Sequence, residues 1–64
     1  MWYDYLNGMR VDEARKSLEE NGSLAYICVT REDTTNYMTT ANLDFRRLKV
    51  SVDNGIITEI HGLG

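Results

Sequence analysis

Prolines are absent from the chain, and cysteine and histidine occur once each, as Cys28 and His61. Without prolines there is no polyproline ligand and no stiff proline-rich linker. A single thiol excludes an internal disulfide, and one cysteine with one histidine is too few for a tetrahedral zinc site, which takes three or four such ligands. We therefore expect no metal site and no cofactor, with Cys28 as a small core residue and His61 on the surface.

A positively charged leader and a long apolar run are also missing. A membrane-spanning helix needs about 18 or more consecutive apolar residues, and small secreted domains are usually held together by disulfides. We therefore expect an intracellular, cytoplasmic protein without membrane contact. The sequence starts at Met1, and we expect a complete small gene product.

The chain is short and slightly acidic. Its 64 residues fit one domain, 1–64, and a domain of this size buries only about 60% of the surface that its unfolded chain exposes. That leaves no room for a deep catalytic cleft, and the sequence contains no glycine-rich phosphate loop and no nucleophile elbow. Seven basic against ten acidic residues give a net charge of −3, the wrong sign for general nucleic-acid binding. We expect a protein that is not an enzyme.

Residues 11–21 have the pattern of an amphipathic helix. Val11, Ala14 and Leu18 form one apolar stripe at helical spacing. Asn21-Gly22 follows, and Gly22 is suited to the left-handed conformation that ends many helices. The stripe is narrow, so the helix needs a sheet to pack against.

Residues 24–30 are β-branched and aromatic over the length of a strand, and both faces of that strand are largely apolar. The pattern predicts a central strand covered on both sides or nearly so. Ile27 and Val29 are predicted to face the helix, and the reverse assignment of the two faces stays open.

A β-hairpin is predicted near the C-terminus. Residues 46–53 alternate apolar and polar side chains, Asn54-Gly55 follows, and residues 56–60 form the return strand. Asn-Gly is the strongest short hairpin signal because it tolerates positive φ at both positions. The predicted core of the α+β domain comprises Val11, Ala14, Leu18, Ile27, Val29, Leu48, Val50 and Val52.

Residues 31–45 leave two interpretations open. A structureless segment of this length is unusual in so small a domain. Either Thr34 to Thr40 is a further strand, turned back by residues 31–33, or the segment is a functional loop. The basic residues that follow this segment are Arg46, Arg47 and Lys49. Three alternative roles are open for them: a solvated face, bracing of the loop, or binding of an anionic ligand.

The order of these features resembles the potato inhibitor I family and its small microbial protease-inhibitor relatives. The matching residues are Trp2, Leu6 and Gly8, the helix phrase 11–16, the strand phrase 47–53 and the ending 60–64. The resemblance spans nearly the whole chain. It implies an α+β fold in which one helix packs on a small mixed sheet of three or four strands, with a long exposed loop between two parallel neighbours.

The resemblance also implies a role for that loop, at about 34–44. In the family the loop is presented to a serine protease in extended form, and basic side chains of the next strand brace it. By position, Arg47 and Lys49 match the bracing residues. Counting back six residues from Arg47 places Ala41 opposite the primary pocket of the protease, with Thr40 before it and Asn42 after it.

Three functions follow as hypotheses. The first is a non-catalytic, serine-protease-inhibitor-like protein whose partner is a protease. The second is a small oligomeric protein of a phage or a defence system that sequesters an anionic ligand such as a nucleotide signal, with phosphate contacts from Arg31, Arg46, Arg47 and Lys49 and stacking on Tyr37 or Trp2. The third is a structural subunit completed as a homo-oligomer, because so small a core is short of buried area.

Overall fold

The computed structural model of the chain describes residues 1–37 and 42–64. A short 3-10 turn, Asp4–Leu6, precedes helix α1, Val11–Glu20, and the strands are β1, Tyr26–Glu32; β2, Thr35–Asn36; β3, Arg47–Asp53; and β4, Ile56–Leu63. The strands form one sheet in the order β2-β1-β3-β4. β1 and β3 are parallel, and the two outer pairings are antiparallel. The predicted α+β fold, one helix on a small mixed sheet, is confirmed.

Helix α1 ends as its sequence predicts. Gly22 has a φ of 68°. The Ser23 N–H donates to the Leu18 carbonyl at 3.0 Å, and the Gly22 N–H donates to the Glu19 carbonyl at 3.1 Å. These two bonds are the Schellman motif, which satisfies carbonyls that the last turn of a helix leaves without partners.

The core lies between α1 and one face of the sheet. Its buried residues are Leu6, Ala14, Leu18, Ile27, Leu48, Val50, Val52 and Ile57. Two predicted members, Val11 and Val29, are only partly buried and pack against this cluster. Two buried members were not predicted: Leu6, which lies in an aperiodic N-terminal segment, and Ile57, which is the second residue of β4.

The predicted strand 24–30 is wrong in its bounds and in its burial. β1 starts at Tyr26 and ends at Glu32, and Leu24 before it is 79% exposed. β1 does lie inside the sheet, but Ile27 is its only buried residue and Cys28 is half-buried outside the core cluster. The reason is that α1 packs on the face that carries Ile27, while Tyr26 and Cys28 belong to the opposite face.

The β3–β4 hairpin forms at the predicted turn. Asn54 and Gly55 have φ angles of 52° and 77°, as expected for an Asn-Gly turn. β4 continues past the predicted end at residue 60 as far as Leu63. The N-terminal segment is attached to this hairpin, because Gly8 donates its N–H to the Ile57 carbonyl at 2.8 Å.

The segment after β1 turns back on it. Asp33 has a φ of 54°, and β2 pairs with the last two residues of β1. The Tyr37 N–H then donates to the Thr30 carbonyl at 2.9 Å. A further strand is therefore present, but it has only the two residues of β2, and it pairs with β1 of the same chain. Residues 38–40 of the predicted strand, Thr34 to Thr40, lie outside the described residues.

Residues 1–37 and 42–64 contain two helical segments, α1 and the 3-10 turn. Neither is long and apolar enough to cross a lipid bilayer.

Candidate functional site

The candidate site is the connection between the parallel strands β1 and β3. Two of the residues expected to face a protease, Thr40 and Ala41, lie outside the described residues. The third, Asn42, is exposed. The described residues that follow Asn42 lead directly into β3, so the loop and the predicted bracing residues can be examined together.

Arg47 opens β3 and contacts the loop. Its Nη1 donates a hydrogen bond to the backbone carbonyl of Asn42 at 3.1 Å, and its Nε donates to the hydroxyl of Tyr26 at 3.5 Å. The guanidinium presents several N–H groups in a fixed plane, so one side chain can hold two acceptors at once. Arg47 is therefore placed to brace the loop immediately after Ala41.

Asp44 is a second point of attachment. One carboxylate oxygen, Oδ2, accepts a hydrogen bond from the Tyr26 hydroxyl at 2.7 Å, and the other, Oδ1, accepts the Arg46 N–H at 2.9 Å. Its backbone carbonyl accepts the Arg47 N–H at 2.9 Å. The bond from Tyr26, followed by that from Arg46, lowers the pKa of Asp44, because both favour the charged carboxylate.

Lys49 has the same orientation in β3 as Arg47 but a different setting. It is half-buried, and its Cα partners across the sheet are Cys28 and Gly62. Its ammonium lies beside the terminal residue, since a Cβ built on Gly64 would be 3.9 Å from Nζ. In the part of the loop that the structure describes, Lys49 donates no hydrogen bond, unlike Arg47.

The remaining basic candidates already have acidic partners. Arg31 donates from Nη1 and Nη2 to the two carboxylate oxygens of Asp53, both at 2.9 Å. Arg46 is exposed, and its Nε lies 3.9 Å from Asp44 Oδ1. The end-on pair with Asp53 occupies one N–H of Nη1 and one of Nη2 of Arg31, whereas Arg46 meets Asp44 by one long contact and its side chain is 67% exposed.

The two aromatic candidates for stacking are not grouped with these cations. Trp2 packs edge-to-face on Tyr3, with ring centroids 5.4 Å apart. Tyr37 lines a groove of about 400 Å³ between α1 and β1, whose other described lining residues are Val11, Arg15, Val29 and Glu32. The four basic residues proposed to hold phosphate are not among them.

His61 and Cys28 do not form a metal centre. Among the described residues, no three side chains of histidine, cysteine, aspartate or glutamate come together as a ligand set. His61 instead meets Ser51, whose Oγ lies 2.7 Å from Nε2, and Glu59 Oε1 lies 3.5 Å from the same nitrogen. A Ser-His-carboxylate triad has its carboxylate at Nδ1, the other ring nitrogen, so Ser51, His61 and Glu59 do not have the geometry of that triad.

No protein-family model matches the chain, and a search of curated proteins found no match. The resemblance to the potato inhibitor I family therefore stays a prediction.

Sequence reasoning missed Tyr26 and Asp44 as site residues. The sequence interpretation includes Tyr26 in an apolar strand and Asp44 in a polar loop. The sequence carries no local signal for their contact, because the contact depends on the parallel register that makes Tyr26 the Cα partner of Arg47.

The Arg31–Asp53 pair predicts a loss of stability in acid. Hydrogen bonds from Arg31, then from Thr58, hold the pKa of Asp53 far below the usual range. A depressed folded-state pKa stabilises the protein above the unfolded-state value, about 3.9, and this contribution is lost as the pH falls below it. Asp53→Asn should therefore lower the urea denaturation midpoint at pH 7. Below about pH 4, the midpoint of this variant should decrease less with falling pH than that of the wild type.

The matched control for this experiment is Asp4→Asn, because the Asp4 carboxylate pairs only with the exposed N-terminal amine among its described neighbours. It should leave the acid profile close to that of the wild type. Urea titrations followed by circular dichroism, at several pH values, measure all three proteins. An Asp53→Asn profile parallel to that of the wild type would show that the pair does not govern acid stability.

Proposed function

We propose that the protein is a non-catalytic binding protein that inhibits a serine protease through the loop at 34–44. The observation that carries the proposal is the hydrogen bond from Arg47 Nη1 to the Asn42 carbonyl, at 3.1 Å. It joins a basic side chain of β3 to the loop residue directly after Ala41, which is the proposed contact with the primary pocket.

A braced loop inhibits because cleavage does not release it. Attack by the protease's serine on the Ala41 carbonyl would break the Ala41–Asn42 peptide bond and free the amine of Asn42. Arg47 still holds Asn42 by its carbonyl, so that amine stays close to the acyl-enzyme and can re-form the bond. The brace also lowers the entropy that the loop loses on binding, which increases affinity without a new contact.

The small side chain of Ala41 defines the class of protease. A methyl group fills only a shallow primary pocket, and serine proteases differ in the size of that pocket. We propose that the target has a small or broadly tolerant pocket, with elastase and subtilisin as laboratory representatives. Thr40 and Asn42 would contact the protease on either side.

Replacing both Arg47 and Lys49 with alanine should convert the inhibitor into a substrate. The expected result is unchanged circular dichroism, at least tenfold weaker inhibition and cleavage after Ala41, since the hydrogen bond from the charged Arg47 guanidinium to the loop is worth about a tenfold factor or more. Titration of subtilisin and pancreatic elastase gives the inhibition constants, and mass spectrometry locates the cleaved bond.

The matched control is the double variant Arg10→Ala and Lys16→Ala, which removes the same charge from two exposed residues, one directly before α1 and one on it. It should inhibit as the wild type does. If the wild type inhibits neither protease and instead binds a nucleotide in calorimetry, with affinity that falls as salt rises, the sequestering function replaces this proposal. Equal inhibition by the wild type and the Arg47/Lys49 variant would remove the brace from the mechanism.

A further inference from the structure

The loop is attached to β1 as well as to β3. Tyr26, the first residue of β1, donates its hydroxyl to Asp44 Oδ2 at 2.7 Å, across a separation of 18 residues in the chain. The family resemblance implies bracing from the basic strand alone. Here a side chain of the neighbouring parallel strand holds the same segment.

Asp44 also binds the backbone of the residues that follow it. Its second carboxylate oxygen accepts the Arg46 N–H, and its carbonyl accepts the Arg47 N–H. A carboxylate that accepts from both a hydroxyl and a backbone N–H has its orientation fixed in two directions. The turn from 44 to 47 is thereby held against the sheet at the point where the loop enters β3.

We propose that Tyr26 is a positioning residue for the loop: acting through Asp44, it fixes residue 44 while Arg47 fixes residue 42. The two anchored residues are two positions apart and are held from two different strands, β1 and β3. A segment held at both points is restricted in rotation as well as in position, which one anchor does not achieve. The consequence for inhibition rests on the proposed function; the anchoring itself does not.

The burial of Tyr26 agrees with a positioning role. Tyr26 is 46% exposed and lies outside the core cluster. Removing the hydroxyl therefore opens no cavity, and an exposed hydrogen bond contributes little to the stability of the whole domain. The effect of that hydroxyl should appear in the loop rather than in the global unfolding transition.

The test compares Tyr26→Phe with Tyr5→Phe. Tyr5 is 48% exposed and its hydroxyl lies 3.2 Å from Ser17 Oγ on α1, so this control loses a tyrosine hydroxyl of similar exposure at another place. Amide hydrogen exchange, measured by NMR, should accelerate by about two- to tenfold at Arg46 and Arg47 in Tyr26→Phe only, since the substitution removes the 2.7 Å bond to Asp44 and the longer, 3.5 Å bond from Arg47 Nε. Urea midpoints of the two variants should agree.

A double-variant cycle identifies the partner. Asp44→Ala should accelerate the same two amides, and Arg46 more than Tyr26→Phe does, because it also removes the carboxylate oxygen that accepts the Arg46 N–H. Adding Tyr26→Phe to Asp44→Ala should change the two amides little further, because the Tyr26 hydroxyl acts on them through the carboxylate that Asp44→Ala has already removed. Additive effects, unchanged amides in Tyr26→Phe, or a lowered urea midpoint for Tyr26→Phe relative to Tyr5→Phe would overturn the positioning role.

The protease experiment separates this inference from the proposed function. If the wild type inhibits subtilisin or elastase, Tyr26→Phe should be cleaved in the loop faster than Tyr5→Phe, and equal cleavage rates would overturn the positioning role. If the wild type inhibits neither protease while the exchange rates change as expected, the proposed function fails and the anchoring of residue 44 by Tyr26 stands.

Discussion

Leu18→Ala is expected to lower the free energy of unfolding by about 2–5 kcal/mol, the range for leucine truncation in a packed core. Leu18 is 3% exposed and lies in the cluster between α1 and the sheet. The loss combines the transfer free energy of the deleted carbons with the cavity that they leave. Because native domains are stable by only about 5–15 kcal/mol, this substitution should remove a large fraction of the stability of so small a protein. Urea denaturation followed by circular dichroism measures the change.

Leu24→Ala is the matched control for this experiment. It deletes the same atoms from a side chain that is 79% exposed, and substitutions at such surface positions usually change stability by less than about 0.5 kcal/mol. Equal midpoints for the two alanine variants would mean that α1 packs on the sheet by another face.

Gly55→Val is expected to destabilise the protein by about 1–3 kcal/mol through backbone strain alone. Gly55 has a φ of 77°, and a Cβ added there would meet no described atom within 4 Å. A loss of stability therefore reflects the left-handed conformation, which β-branched residues tolerate poorly, and not a clash of the added Cβ with its neighbours. The unfolding free energy from urea titration gives the magnitude.

Gly55→Asn separates strain from the mere loss of glycine. Asparagine enters the left-handed region more readily than other residues with a side chain, so this variant should be more stable than Gly55→Val. The opposite order, or a Gly55→Val protein as stable as the wild type, would show that the hairpin can change its turn without loss.

The site was predictable only in part. The family resemblance predicts Arg47 as a bracing residue. Its guanidinium contacts the Asn42 carbonyl, and the bracing role stays a prediction. Lys49 shares its orientation in β3, yet its ammonium lies beside Gly64. The side chains of these two residues lie on the same face of β3, but each has different neighbours. Those neighbours are specified by the fold and not by the strand's own sequence.

What the sequence by itself determined is local. The helix follows from apolar residues at helical spacing, and its end follows from Gly22, because φ near 68° is open to glycine. The β3–β4 turn follows from Asn54 and Gly55 for the same reason. These features depend on residues close together in the chain, so their patterns can be seen without knowing the fold.

The tertiary structure decided the rest. It set the start of β1 at Tyr26, placed Leu6 in the core, and joined Arg31 to Asp53 across 22 residues. Each of these features depends on which strands become neighbours and in which register. β1 and β3 are neighbours in the sheet although a long connection separates them in the chain. A parallel pairing has no tight turn to specify its register, so the Tyr26–Asp44 contact follows from the assembled sheet and from no local pattern.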